Sequence, residues 1–116
     1  MPKRCRLRAR AEFQTVYAAG RRYDGRLMAA FLRVNELPEH RLGLTASTKA
    51  VGKSVDRNRA RRLLREVFRR SGSELNALQR RYDWVINAKR ALLNSTEELR
   101  FREFRRIVEQ VARDEG

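Results

Sequence analysis

Between Lys49 and Arg70 the chain reads KAVGKSVDRNRARRLLREVFRR. Nine Lys or Arg stand there against Asp56 and Glu66, so these 22 residues hold +7 of the chain's +14. Arginine points to one kind of chemistry, because its flat fork of five donors matches the oxygens of phosphate where lysine offers only a point charge. On a helix, Asn58, Arg62, Arg65 and Arg69 face one way, with Arg61 beside them and Arg57, Arg59 and Arg70 on the flanks. A solvated helix exterior carries mixed signs, since Glu and Lys four apart support each other; like charges at that spacing cost about 0.2–0.5 kcal/mol per pair. The outer face here is nearly all arginine, so something outside the chain must neutralise it.

The residues for catalysis are missing by contrast. A protein nuclease needs a general base and acid, or carboxylates gathered around metal ions. The aspartates at 24, 56, 83 and 114 are scattered, Asp56 suits a helix cap, and Glu97 and Glu98 belong to a helix start. His40 is the single histidine and Cys5 the single cysteine, which excludes a histidine pair, a disulfide frame and a cysteine metal cluster. The polypeptide is not expected to be catalytic alone, and no metal is expected to bind it tightly.

These features bound the class of protein. A chain of 116 residues fits one domain, burying roughly 65% of its unfolded surface. A pI near 11.4 with 36% charged residues points to nucleic acid, although an anionic membrane surface attracts the same charge. Periodic apolar segments argue against disorder. No apolar run approaches the ~20 residues needed to cross a bilayer, and the first residues lack a secretory signal's apolar centre. A cytoplasmic location is expected.

The elements that must present the arginines follow from periodicity. Residues 1–8 are basic and read as a flexible arm. A helix is predicted from Ala9 to Ala19, closed by Gly20. Phe13, Val16 and Tyr17 share one side of it, and spacing alone favours a core stripe. GRRYDG over 20–25 suggests a short edge strand or turn. Arg26 to Val34 alternates, placing Met28, Ala30, Leu32 and Val34 inward and leaving Phe31 on a face that a ligand could reach. Residues 35–40 form a turn. Arg41 to Thr48 alternates again, with Leu42, Leu44 and Ala46 inward and Gly43, Thr45 and Ser47 making a bare polar face.

Lys49 to Val55 reads as a loop. Asp56 then caps the arginine helix and Val55 staples onto Ala60, with Val55, Ala60, Leu63, Leu64, Val67 and Phe68 as the inner stripe. A short helical turn over 74–79, a strand over 83–88 and a capping box at Ser95–Glu98 complete the chain. The box opens a helix to about Arg113, with Phe104, Ile107, Val108 and Val111 inward. The order α-β-β-β-α-β-α makes the fold α+β, one small sheet with helices packed on it.

Arg57-Asn58-Arg59, with Arg61-Arg62-Leu63 after it and Gly43-Leu44-Thr45 and Lys49 before it, closely resembles the signature of the protein subunit of bacterial ribonuclease P. The resemblance spans about Arg6 to Ala112. It implies a fold like the second domain of ribosomal protein S5, with a left-handed crossover around the arginine helix that pattern alone could not reveal. It implies a ribonucleoprotein endonuclease in which the RNA subunit uses magnesium to remove the 5′ leader of precursor tRNA. Arg57, Asn58, Arg59, Arg61, Arg62 and Arg65 would then dock the catalytic RNA. Phe13, Tyr17 and Phe31, with Lys49, Lys53, Lys89 and Arg90, would track the leader by stacking and charge. No protein oligomer is required.

Four residues depart from the family's pattern: Thr48 where lysine is usual, Arg61 where lysine is common, Tyr17 where phenylalanine is common, and Asn87 where an apolar residue is usual. The competing classes are a general RNA-binding protein of this fold and a helix-turn-helix DNA binder, the latter opposed by the strands.

Overall fold

The computed structural model describes residues 5–116. Four strands, β1 (Arg21–Asp24), β2 (Met28–Val34), β3 (Arg41–Thr45) and β4 (Tyr82–Ala88), form one mixed sheet in the order β1-β2-β4-β3. β2 is antiparallel to β1 and β4, whereas β3 runs parallel to β4. The link between these parallel neighbours holds three helices: α2 (Thr48–Val51), α3 (Ser54–Arg70) and α4 (Gly72–Asn76). α1 (Arg10–Ala18) precedes the sheet, and a 3-10 turn (Arg90–Asn94) leads into α5 (Glu97–Glu115).

The sheet is covered on both faces, unequally. Met28, Ala30 and Leu32 of β2 and Trp84 and Ile86 of β4 meet Ala60, Leu64, Val67 and Phe68 of α3 and Phe104, Ile107, Val108 and Val111 of α5. The rings of Phe68, Trp84 and Phe104 lie 5.6 to 5.9 Å apart, and each such buried side chain contributes about 1.5–3 kcal/mol. The opposite face carries a smaller cluster of Leu7, Val16 and Val85 with Phe13 and Phe31 against it. The alternation expected of β2 and β4 is what divides the two faces.

Two polar groups tie the elements together. Glu103 of α5 is buried and accepts the backbone N–H groups of Arg26, Leu27 and Met28 at 2.7, 2.9 and 3.1 Å, fixing the β1–β2 turn. His40 Nδ1 accepts from Trp84 Nε1 and from the Tyr82 N–H, both at 3.1 Å, and Nε2 lies 2.9 Å from the Leu75 carbonyl. The ring is thereby held neutral with its proton on Nε2, and burial lowers its pKa from the ordinary 6.5.

Several boundaries differ from the sequence reading. Residues 5–8 do not hang free: Leu7 is buried and donates to the Leu42 carbonyl at 2.9 Å, while Arg6 pairs with Leu42 along the outer edge of β3. Residues 1–4 of the expected arm lie outside the described residues. Asp56 is not the cap of α3, because the helix begins at Ser54 with Lys53 in the cap position and Asp56 in its first turn. The expected loop after Lys49 is instead α2, capped by Ser47, whose hydroxyl accepts from the Ala50 N–H. Val55 is 77% exposed, so it neither staples nor joins the core. α4 begins directly at Gly72, where a break was expected.

Candidate nucleic-acid interface

Strand register sorts the face under α1 into three rows. Arg33, Asp83 and Arg41 make the first row; Arg22, Phe31, Val85 and Gly43 the second; Asp24, Ala29, Asn87 and Thr45 the third. α1 runs across them in order, because its residues 12, 13, 16 and 17 recur on one side at helical spacing.

In the first row Arg41 clamps the buried carboxylate of Asp83 through Nε and Nη2, both at 2.7 Å, and reaches Glu12 of α1 at 3.3 Å. Glu12 also accepts the Arg8 and Ala9 N–H groups at the start of α1, and those bonds hold its pKa below the usual 4.5. This ionic end moors the helix. In the second row Val16 is fully buried on Val85, and the far end of the Phe13 ring approaches Gly43, where a Cβ would come within 2.6 Å of Phe13 Cζ. The face expected to be bare at Gly43 is therefore occupied by Phe13. Tyr17, beyond them, is 37% exposed and meets Phe31 edge to face at 4.8 Å. Neither the core-stripe reading nor the cleft reading holds alone: α1 buries Val16, half-buries Phe13 and leaves Tyr17 on the rim.

The third row is small and mostly polar, with Ala29 buried and Thr45 and Asn87 half-buried beside the end of α1. Its Asn87 Oδ1 accepts from the Tyr17 hydroxyl at 3.0 Å and the Thr45 hydroxyl at 2.6 Å. Asn87, unexplained by sequence, thus has a structural partner in Tyr17, and the two departures from the family's pattern answer each other.

Cations gather where β3 and β4 end. Lys49 is exposed on α2 and Lys53 on the start of α3. Arg90 donates to the Val51 carbonyl at 3.2 Å, which brings it beside α2. Lys89 is engaged elsewhere, 2.8 Å from Asp24 and 2.6 Å from the Gly25 carbonyl, so it braces the β1–β2 turn. Two groups escaped the sequence reading. Arg22 stacks over Phe31 at 5.3 Å, which the pairing of β1 with β2 alone would have placed there. Arg6, assigned to a flexible arm, lines a cavity of about 230 Å³ with Phe13, Gly43, Arg61 and Arg65.

That cavity joins the aromatic face to the arginine helix. On α3, Ala60, Leu64, Val67 and Phe68 are buried, and Asn58, Arg59, Arg62 and Arg69 are exposed. Arg61 donates to Asn58 Oδ1 at 2.6 Å, Arg59 to the Leu93 carbonyl at 3.0 Å, and Arg57 to the Thr48 hydroxyl. A lysine at position 48 would oppose Arg57, so threonine there substitutes a hydrogen bond for repulsion. Among the described residues the carboxylate partners of this helix's arginines converge on Arg70, 3.4 Å from Glu66 and 3.5 Å from Glu97. No ion pair within 4.0 Å among the described residues compensates Arg57, Arg59, Arg61, Arg62, Arg65 or Arg69. A cavity of about 580 Å³ between Leu27 and Leu99 lies away from these groups; an unpaired strand needs an open basic surface with rings, not an enclosure.

No helix among the described residues is long and apolar enough to cross a membrane. Comparison with known proteins agrees with the geometry. The family model for ribonuclease P matches residues 1–112. The ribonuclease P protein component of Coxiella burnetii is 43% identical over 84 residues, 72% of this chain and 66% of that protein. That of Fusobacterium nucleatum is 34% identical over 105 residues, 90% of this chain and 91% of the other. The solved ribonuclease P protein of Thermotoga maritima superposes with a TM-score of 0.70 at 27% identity, covering 93% of this chain and 96% of that one. The Staphylococcus aureus protein, at 24% identity, shares the fold with a TM-score of 0.75 over 90% of this chain and 93% of its own. The arginine helix and the aromatic face thus belong to a known lineage: the chain is a member of the ribonuclease P protein family, subunits of a ribonucleoprotein endoribonuclease in tRNA 5′ maturation.

Proposed function

We propose that the chain lays α3 against the RNA subunit of ribonuclease P and holds the 5′ leader of precursor tRNA across the face of Tyr17, Phe31 and Thr45. The observation that carries this reading is the one-sided array of arginines without carboxylate partners, joined through Phe13 to the aromatic face. Arg57, Asn58, Arg59, Arg61, Arg62 and Arg65 supply the phosphate contacts, with Asn58 orienting the Arg61 fork. Each contact releases counterions, which drives association and makes it sensitive to salt.

Tyr17 and Phe31 offer stacking surface to unpaired bases. Lys49, Lys53 and Arg90 continue the positive track past the strand ends, and Phe13 acts from beneath as the floor that joins the two regions. Lys89 supports the leader face by holding the turn at Asp24 and Gly25.

Several carboxylates are engaged within the chain: Asp83 holds Arg41, Glu103 holds backbone N–H groups, and Glu115 accepts from Tyr82 and from the Gln79 and Arg80 N–H groups. On this reading the hydrolysis and its metal belong to the RNA subunit, and the chain's contribution is to place substrate and offset phosphate charge, in the cytoplasm.

The test is reconstitution with a ribonuclease P RNA at low magnesium. Substrates are precursor tRNAs whose leaders are one nucleotide or about eight nucleotides long, the latter within the span of single-strand grooves. Stimulated cleavage, with tighter binding of the longer leader, is expected. Absence of stimulation would refute the reading.

A further inference from the structure

The two ends of the Asn87 amide have unlike surroundings. Oδ1 takes both neighbouring hydroxyls, from Tyr17 at 3.0 Å and Thr45 at 2.6 Å. A separation of 2.6 Å is an O–H···O length, shorter than the ~2.9 Å usual for N–H···O, so the oxygen and not the nitrogen faces Thr45. A carboxamide oxygen has two lone pairs, and both are occupied. Nδ2 is in the opposite position. No group among the described residues accepts from it, and it is not a fully enclosed atom, so it keeps contact with solvent while its N–H bonds are unused within the protein. It lies in the third row, beside the Tyr17 and Phe31 rings and between strands β2 and β3.

We infer that Asn87 is a leader-contacting residue, whose Nδ2 donates to an acceptor on an unpaired nucleotide stacked near Tyr17 and Phe31. The inference rests on the reading that the leader crosses this face. Tyr17 and Thr45 are positioning residues for the amide: by filling Oδ1 they fix its orientation and leave it able only to donate. An asparagine that recognises adenine uses oxygen and nitrogen together, donating to N7 and accepting from N6. Asn87 cannot make that two-way contact. It discriminates by acceptor position, favouring a base edge with a carbonyl or a backbone oxygen.

The experiment uses the holoenzyme and measures affinity for precursor tRNA with the long and the one-nucleotide leader. Asn87→Val should weaken long-leader binding about 2- to 10-fold, the range of one net hydrogen bond, and leave the short-leader substrate unchanged. Because valine also strands two hydroxyls, the triple variant Tyr17→Phe, Thr45→Val, Asn87→Val removes the whole polar set while keeping the rings, with folding verified by thermal melting. A deficit that persists in the triple variant supports the contact. Recovery of wild-type affinity there means that Asn87 serves only its neighbours, and overturns the inference. Full affinity of Asn87→Val overturns it as well. A long leader with base-free nucleotides locates the acceptor: loss of the variant's deficit places it on a base, persistence on the sugar-phosphate chain, and either result requires the contact. If the wild-type holoenzyme treats both leaders alike, the leader reading itself fails and takes this proposal with it.

Discussion

Replacing Arg62 and Arg65 together with alanine separates docking from folding. Both lie on the outer side of α3, and neither donates to a carboxylate or carbonyl among the described residues. The wild-type docking set has five arginines of α3, at 57, 59, 61, 62 and 65. If each meets one phosphate, log affinity should fall with log salt at a slope of about −3.5 to −4.5, from 0.7 to 0.9 per contact. Raising salt fourfold then weakens binding roughly 100- to 500-fold, whereas three remaining contacts give a slope of about −2 to −2.7 and a loss of roughly 20- to 40-fold. Stability should move the other way or not at all. Arg62, Arg65 and Arg69 stand at three- and four-residue spacing, so their removal relieves like-charge repulsion, and alanine is the better helix former. The assay is binding of the RNA subunit over a salt series, paired with thermal melting of the free protein. An unchanged slope, or a melting temperature lowered by several degrees, would refute the assignment of this face to RNA.

Three further outcomes follow from the packing. His40→Gln should flatten the pH dependence of stability. Burial lowers the folded pKa of His40 below 6.5, so the unfolded chain takes up the proton first; its contribution is full above 6.5 and is lost as pH falls from there towards the folded value, visible by denaturant titration between about pH 7 and 5.5. Glu103→Ala should cost about 2–5 kcal/mol in chemical denaturation, because it orphans the amides of Leu27 and Met28 in buried surroundings. Gly43→Ala should cost about 1–3 kcal/mol, since the added Cβ meets both the end of the Phe13 ring and the Cβ of buried Leu7, and it should weaken long-leader binding by lifting that ring off the sheet. Equal losses for long- and short-leader substrates would contradict this role for Phe13.

The chemistry of α3 was legible because charge and helical period need no tertiary information: the arginines and the stripe of Ala60, Leu64, Val67 and Phe68 fall where the spacing puts them. Gly20 adopts φ of 78° where α1 closes, as its place after Ala19 implied. Thr96 caps α5, its hydroxyl accepting from the Leu99 N–H. Asp56 misled because an acidic residue favours the first turn of a helix as well as its cap, and only the chain path through Gly52, at φ of 105°, decides between them. Arg6, Arg22 and Asn87 were not legible as site residues because each acquires its meaning from a neighbour on another strand. Alternation alone puts Asn87 on the side opposite Trp84, Ile86 and Ala88 and says nothing of its use; its hydroxyl partners are 42 and 70 residues away in sequence. Lys89 was legible as a cation at a strand end, but its use on Asp24 and Gly25 depends on the β1–β2 turn.

The arginine helix lies within the segment that connects two parallel neighbours, β3 and β4. Its own charges oppose helix formation, so packing of Ala60, Leu64, Val67 and Phe68 on the sheet must offset them, and that packing depends on long-range contacts that form slowly relative to local pairing. A polyanion that binds the finished face and not the open chain shifts that equilibrium by mass action. An RNA that docks on this face would then also be a folding ligand, and the amount of native protein would be coupled to the supply of that RNA.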